Sequence, residues 1–329
     1  MKNMQLDLSI IIVSYNTCSI TQNCIQSIYN QNLNIEYEII LIDNHSNDNT
    51  VYIIKQIFPE VIIIENLENK MFSKANNQGI QISKGKYVLL LNSDTLFLDS
   101  SIEKMIHYME LNNNCVCTGP RVLNEDLSFQ SEGYPLSSIF HTIVNSLFYM
   151  NRWPLLDNFK KWFLPAGTKG VEIGKIREVG WVSGCFMLIK ANILNSVGRL
   201  NEQIFFYGEE IEWCFRAKSN GFDVFVIPTA TIVHLGGKST KGDIAKIVNE
   251  RNNMVEGYLN LQKLTIGHFK TFIMSSIIVI KIILILIFYF FSFNKQKLKS
   301  YFSAFKYELE ILVKILIFNI LTKINSMNR

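Results

Sequence analysis

The sequence predicts an α/β fold: a mixed, mostly parallel sheet flanked by helices, followed by a helical tail of different character. Three observations carry this. Short apolar runs of strand length alternate with stretches whose apolar residues recur at helical spacing, and each run ends in polar residues. From residue 262 onward the composition turns apolar and basic.

Taken in order, residues 8–13 are an apolar run closed by Ser14-Tyr15-Asn16, and 38–42 are a second, closed by Asp43-Asn44. Both read as buried parallel strands, which lack the polar alternation of half-exposed ones. Between them, 21–29 place Cys24, Ile25 and Ile28 on one helical face, completing a βαβ unit. Residues 51–58 read as a helix stopped by Pro59, 61–64 as a third strand, and 73–83 as a third helix. The run 87–91 is a fourth strand, ended by Asn92-Ser93-Asp94. Residues 124–175, with Pro135, Pro154 and Pro165, read as a long irregular excursion over the sheet. Order resumes over 179–189, followed by a helix over 209–218, a strand over 224–227 and a strand over 232–234 beyond Pro228.

Composition narrows the class. Of 329 residues 48% are hydrophobic and 18% charged, which excludes disorder and points to contact with lipid or a partner. Six cysteines without paired spacing argue against a disulfide framework, and Cys115 and Cys117 are one residue short of a zinc knuckle. No apolar leader is read at the N-terminus, so the chain is expected to begin inside the cell. From residue 262 to 329 ten basic residues face two acids, giving +8, while the 22 basic and 26 acidic residues of the rest give −4. A mildly acidic body excludes nucleic acid as a partner, and a basic apolar tail suits a membrane surface. Residues 272–293 are long enough to span a bilayer, but Lys281 lies mid-segment and Lys295, Lys297 and Lys299 follow it. The expectation is therefore a body over 1–261 and a tail over 262–329 that is peripheral or monotopic on the cytoplasmic face of the cell membrane.

The polar clusters at the strand ends converge where open α/β sheets bind ligands. Neither a dinucleotide-type glycine fingerprint after the first strand nor a P-loop is present. Phosphates must then be held another way, and a divalent cation on Asp94 and His234, Mg²⁺ or Mn²⁺, can do this. Gly236-Gly237-Lys238-Ser239 follows His234 as a flexible phosphate-closing loop. Acids at a helix start such as Glu209 and Glu210 are ordinarily favoured by the helix dipole, but Phe205, Phe206, Tyr207 and Trp213 beside them suggest a walled pocket that raises a carboxylate toward a useful base.

These blocks carry a resemblance: LSIIIVSYN, LIDNHSNDNT, FSKANNQGI, LLLNSDT, WVSGCFMLIK, FFYGEEIEWCFRAKSNGF and VIPTATIVHLGGKS, in order over residues 8–261. The chain resembles family 2 glycosyltransferases of the GT-A fold, particularly the rhamnosyltransferase-like branch. The resemblance implies that Asp43 accepts from the imide N–H of a uracil or thymine base. It also implies that Ser14, Tyr15 and Asn16 line base and ribose, and that Asn77 and Ser93 lie beside the nucleotide. The family's metal-binding acid pair stands here as Asn92-Ser93-Asp94, leaving Asp94 as the carboxylate ligand. Its catalytic acid pair stands as Glu209-Glu210 with Glu212, so a glutamate takes the aspartate's place and either can be the base, Glu210 being the expected one. Arg216 and Lys238 are expected at the diphosphate. The implied reaction is inverting transfer of a sugar from a nucleotide-sugar donor, dTDP-rhamnose or a UDP-sugar, to a hydroxyl of a lipid-linked saccharide in cell-surface polysaccharide synthesis. Two rivals remain: an inactive nucleotide-sugar-binding membrane scaffold, suggested by Asn92 and Glu210, and a sugar-phosphate nucleotidyltransferase, which would want a glycine-rich basic loop where Ser14-Tyr15-Asn16-Thr17 stands.

Overall fold

The computed structural model describes residues 6–134, 174–204 and 208–236. All belong to one compact unit, Met1–Leu136 with Val171–Leu261. The expected tail over 262–329, most of the irregular excursion, the aromatics at 205–207 and Lys238 lie outside the described residues. Among the described residues no helix is long and apolar enough to cross a membrane.

Four parallel strands, β1 (Leu8–Ser14), β2 (Tyr37–Asp43), β3 (Ile62–Glu65) and β4 (Tyr87–Asn92), stand in the order β3-β2-β1-β4. Ser14 pairs with Asp43, Asp43 with Glu65, and Val13 with Asn92, so the polar residues that close the apolar runs share one edge. Beyond β4 the sheet continues through β9 (Phe186–Lys190), β6 (Cys115–Leu123), β10 (Asp223–His234) and β5 (Thr95–Phe97). Two short strands, β7 (Phe129–Ser131) and β8 (Arg177–Glu178), pair with β6 and β10. β9 is antiparallel to both β4 and β6.

Helices cover both faces, which is why the strands read as unbroken apolar runs. Ile10 and Ile12 of β1 enter one layer with Ile25 and Ile28 of α1 (Cys18–Tyr29), Ile54 of α2 (Thr50–Ile57) and Met105 and Met109 of α4 (Ser101–Leu111). Ile11 points the other way, joining Ala75 and Ile80 of α3 (Met71–Ile82) and Trp213 and Ala217 of α6 (Glu209–Ser219). A short helix, α5 (Ile193–Ser196), completes that layer. Each fully buried isoleucine contributes about 1.5–3 kcal/mol.

The structure departs from the sequence expectation in three places. α4 and β6 form an element pair not read from residues 95–123, and Cys115 and Cys117 are buried in β6, all six cysteines being free thiols. The stretch 179–189 is not one strand: β9 begins only at Phe186, after a turn. β10 runs through Pro228 instead of stopping there. Its register on β6 jumps from Ile227–Pro120 to Thr231–Arg121, so the residue without an N–H falls in an irregular stretch where no ladder bond is required.

Candidate active site

The first group of residues gathers where β1 and β2 end. Asp43 is buried, and its Oδ2 accepts from the Ser46 N–H at 2.9 Å, while its Oδ1 is buried with no hydrogen-bond partner. A buried acceptor left open is expensive in a folded protein unless a ligand donates to it. Asn16, at φ +53°, ties the two loops together: its N–H donates to Ser46 Oγ at 2.9 Å and its Oδ1 accepts from the Asn47 N–H at 2.7 Å. Tyr15 is half-buried beside it. Ser14 faces inward, within 2.9 Å of both Thr17 Oγ1 and Thr21 Oγ1, and Thr17 reaches Ser93 Oγ at 3.4 Å. The buried hydroxyls thus link the base-side loop to Asn92-Ser93-Asp94, which makes Ser14 and Ser93 supports of the site's frame. A cleft of about 480 Å³ lies between the end of β3 and α3, lined by Ile64, Asn66, Lys70 and Gln78 among others, Asp43 not being part of its wall.

Asn77 goes elsewhere. Its Nδ2 donates to Leu200 O and to Glu202 Oε1, both at 2.9 Å, and its Oδ1 accepts from the Leu200 N–H at 3.1 Å. It therefore clamps the loop after α5 onto α3.

The second group joins residues 140 positions apart. β10 pairs with β5 so that His234 lies opposite Thr95, and Asp94 Oδ1 stands 3.2 Å from His234 Nε2. Asn92 Nδ2 is 3.5 Å from the same nitrogen, and His234 Nδ1 meets Gln130 Oε1 at 3.0 Å. A carboxylate oxygen facing an imidazole nitrogen suits Mn²⁺, and less well the oxygen-preferring Mg²⁺. No three His, Cys, Asp or Glu gather among the described residues, so a cation here would need further oxygens, such as those of a diphosphate.

The third group opens α6. Gly208, at φ +110°, makes a turn that residues with a side chain rarely adopt, and delivers Glu209 and Glu210 to the first turn. Burial raises the Glu209 carboxyl to about 8, with the charge of Glu210 adding to the shift. Burial also raises Glu210, against hydrogen bonds from the backbone of Glu210 and Gly208. Glu212 differs: its carboxylate holds Arg216 at 2.6 and 2.9 Å. The Arg216 guanidinium also donates to Val197 O and, at 2.7 Å, to Arg199 O. The pair fastens α6 to the loop after α5, and its charges are matched to each other. Trp213 is likewise no pocket wall, being fully buried with its Nε1 donating to Gly198 O at 2.8 Å.

The loop entering β9 brings the second and third groups together. Cys185 O accepts from the Asn92 N–H at 3.0 Å and from Thr95 Oγ1 at 3.3 Å, on either side of Asp94. Gly184 lies against Glu210, whose Cδ would be 3.4 Å from any Cβ there. Burial drives the Cys185 thiol up to about 12, with the charges of Asp94 and Glu210 both contributing. Nearby, Tyr134 and Trp181 stack with ring centroids 4.0 Å apart, and Glu210 is close enough to help raise the Tyr134 hydroxyl, chiefly raised by burial. Sequence reasoning missed this aromatic pair and Gln130; the only signal was a turn-forming Asn124-Glu125-Asp126 ahead of β7.

Residues 9–177, just over half of the chain, match the family model described as Glycosyl transferase family 2. The low-salt glycan biosynthesis hexosyltransferase Agl10 of Haloferax volcanii is 26% identical over 235 residues, covering 69% of this chain and 67% of Agl10. The N-acetylglucosaminyl-diphospho-decaprenol L-rhamnosyltransferase of Mycobacterium tuberculosis is 22% identical over 222 residues, 63% of this chain and 69% of the relative. The poly(ribitol-phosphate) β-N-acetylglucosaminyltransferase TarP of Staphylococcus aureus is 32% identical over 117 residues, and there the match spans only 36% of the relative. Among solved structures, GalNAc-T7 with UDP, GalNAc and Mn²⁺ superposes with a TM-score of 0.57 at 16% identity, over 80% of this chain and 48% of that one. That likeness is one of fold, the GT-A-like arrangement of a mixed sheet between helices.

Proposed function

The chain belongs to glycosyl transferase family 2, and on that premise we propose that it is an inverting glycosyltransferase that uses a nucleotide-sugar donor, dTDP-rhamnose or a UDP-sugar. The acceptor in this reading is a hydroxyl of a lipid-linked saccharide in the synthesis of a cell-surface polysaccharide. The observation that carries the reading is the single sheet edge on which Asp43 Oδ1 stands open, Asp94 faces His234, and Glu209 and Glu210 stand with raised pKa values. The Mycobacterium tuberculosis relative, an L-rhamnosyltransferase acting on N-acetylglucosaminyl-diphospho-decaprenol, supports rhamnose and a lipid-linked acceptor, and the Haloferax volcanii relative supports hexosyl transfer in glycan synthesis.

In this reading Asp43 receives the imide N–H of the base, and the loops tied by Asn16 hold the ribose. Asp94 and His234 would hold a divalent cation, which supplies charge to offset a departing diphosphate. Lys238 supplies further positive charge, the Arg216 guanidinium being taken up by Glu212 and two main-chain carbonyls. Glu210 takes the proton of the acceptor hydroxyl as that oxygen attacks the anomeric carbon from the face opposite the diphosphate, so the configuration inverts. Glu209 holds its own proton and leaves Glu210 as the acceptor. The body over 1–261 carries this chemistry. The tail over 262–329, with its +8 charge, would hold it peripherally or monotopically to the cytoplasmic face of the cell membrane, close to a lipid-anchored acceptor.

Sugar transfer and donor hydrolysis, measured over a panel of nucleotide sugars with Mn²⁺, with Mg²⁺ and with chelator, test the proposal. Transfer that depends on the cation and is lost in Asp94→Ala, with the circular dichroism of the wild type retained, is the expected result. Donor binding without transfer or hydrolysis would favour an inactive scaffold, and pyrophosphate release from a sugar phosphate and a nucleoside triphosphate would favour a nucleotidyltransferase.

A further inference from the structure

The turn between β6 and β7 carries a chain of hydrogen bonds that ends on His234. Asp126 Oδ1 accepts from Ser128 Oγ at 2.5 Å and from the Ser128 N–H at 3.0 Å. Ser128 Oγ accepts from Asn124 Nδ2 at 2.8 Å, Asn124 Oδ1 accepts from Gln130 Nε2 at 2.8 Å, and Gln130 Oε1 meets His234 Nδ1 at 3.0 Å. The hairpin's backbone supports the set, with the Asn124 N–H on Ser128 O at 2.8 Å and the Leu127 N–H on Asn124 O at 2.9 Å.

The direction of every bond follows from its starting point. An ionised carboxylate only accepts, so the Ser128 hydroxyl proton goes to Asp126 and its oxygen is left to accept. Asn124 must then present its NH₂ to Ser128 and its carbonyl to Gln130. Gln130 answers with its NH₂, and its carbonyl is what remains for the histidine. A carbonyl oxygen needs a proton across the bond, so Nδ1 of His234 carries one. The Asp94 carboxylate 3.2 Å from Nε2 calls for a positive partner there too, a proton in the bare protein or a cation when one is bound, and with the cation in place the Nε2 lone pair is the one turned to it.

We propose that Gln130 is a positioning residue: the Asp126-Ser128-Asn124-Gln130 chain fixes His234 in the Nδ1–H tautomer and aims its Nε2 lone pair at a divalent cation shared with Asp94. The inference rests on the reading of Asp94 and His234 as a cation-binding pair, and it assigns a role to a hairpin that the transfer reaction itself does not use. Outer partners of metal-bound imidazoles act in this way by holding the ring's tautomer and orientation.

The test uses the full chain labelled with ¹⁵N-histidine, with His234→Gln assigning the His234 ring signals. In the metal-free wild type Nδ1 of His234 is expected to carry a proton, alone or together with one on Nε2 that answers Asp94. Gln130→Met, which keeps the length and removes the acceptor, is expected to turn the ring toward a mixed or Nε2–H population. It is also expected to weaken Mn²⁺ binding, measured with UDP present, by about 10- to 100-fold. Gln130→Glu, which retains an acceptor, is expected to restore both readouts, and Asn124→Ala to produce a smaller loss of the same kind. A wild-type ring in the Nε2–H form, or a folded Gln130→Met with unchanged tautomer and Mn²⁺ affinity, overturns the proposal. A wild type that shows the Nδ1–H ring but binds no Mn²⁺ would instead overturn the cation reading beneath it.

Discussion

Replacing Glu209 with glutamine should stabilise the protein in alkali. The Glu209 carboxyl is raised from 4.5 to about 8, first by burial and then by the charge of Glu210. Between those two values the folded protein keeps a proton that the unfolded chain has released, so stability falls as pH rises through that window and levels off above it. A shift of this size corresponds to a loss on the order of 5 kcal/mol, spread over the window. Glu209→Gln has the same shape and no proton to lose. It should match the wild type near pH 5 and exceed it near pH 9, with a gain in Tm on the order of 10 °C at the upper end. Calorimetry of both proteins at pH 5, 7 and 9 reads this directly. Catalysis supplies a second arm: with Glu210 as base, Glu209→Gln keeps transfer at pH 7 within a few-fold, whereas Glu210→Gln loses about 10² to 10⁴. Parallel stability profiles for variant and wild type would refute the raised, proton-holding Glu209. A crippled Glu209→Gln beside an active Glu210→Gln would exchange the two roles.

Asp43→Ala should weaken UDP or dTDP binding by about 10- to 100-fold in calorimetry, the worth of a hydrogen bond to a charged group, and leave the circular dichroism of the wild type unchanged. Asn77→Ala should lower stability by about 1–3 kcal/mol in denaturant titration, because Leu200 loses partners for both its N–H and its C=O, while nucleotide affinity stays near wild type. A chain ending at Leu261 should be soluble without detergent and active on a water-soluble acceptor, yet slow on a lipid-anchored one; equal rates on both would remove the tail from the mechanism. Labelling of a C-terminal cysteine by an impermeant reagent outside intact cells would show that the tail spans the membrane.

What could be read in advance was what local pattern encodes. The runs ending at Ser14, Asp43 and Asn92 needed only apolarity and a polar stop, and their parallel register carried those stops to one edge. The meeting of Asp94 and His234 was also accessible, since each closes or follows a strand on that edge. β6 was not legible, because Gly119, Pro120 and Arg121 interrupt its apolar run and its burial comes from β9 and β10, which arrive later in the chain. Arg216 and Asn77 resemble ligand-facing residues in sequence; the loop at 197–202 that engages both is distant from Asn77 and has no signature of its own. Gln130 was hidden for a similar reason, being one glutamine in a stretch read as irregular until its turn and its histidine are seen together.

The reversal at β9 has a consequence for how this edge tolerates change. Because β9 runs against its neighbours, its beginning lies at their ends, and the surface between Asp94 and Glu210 is laid down by the main chain of Gly184 and Cys185. A carbonyl is the same in every residue, so exchanging the Cys185 thiol for another small side chain leaves the two bonds to Asn92 and Thr95 in place. Adding or removing one residue between Trp181 and Phe186 is another matter. It would displace the turn that sets the Cys185 carbonyl against Asn92 and Thr95, and with it the main chain between the acid at the end of β4 and the acid at the head of α6. This stretch of chain is therefore forgiving in spelling and strict in length.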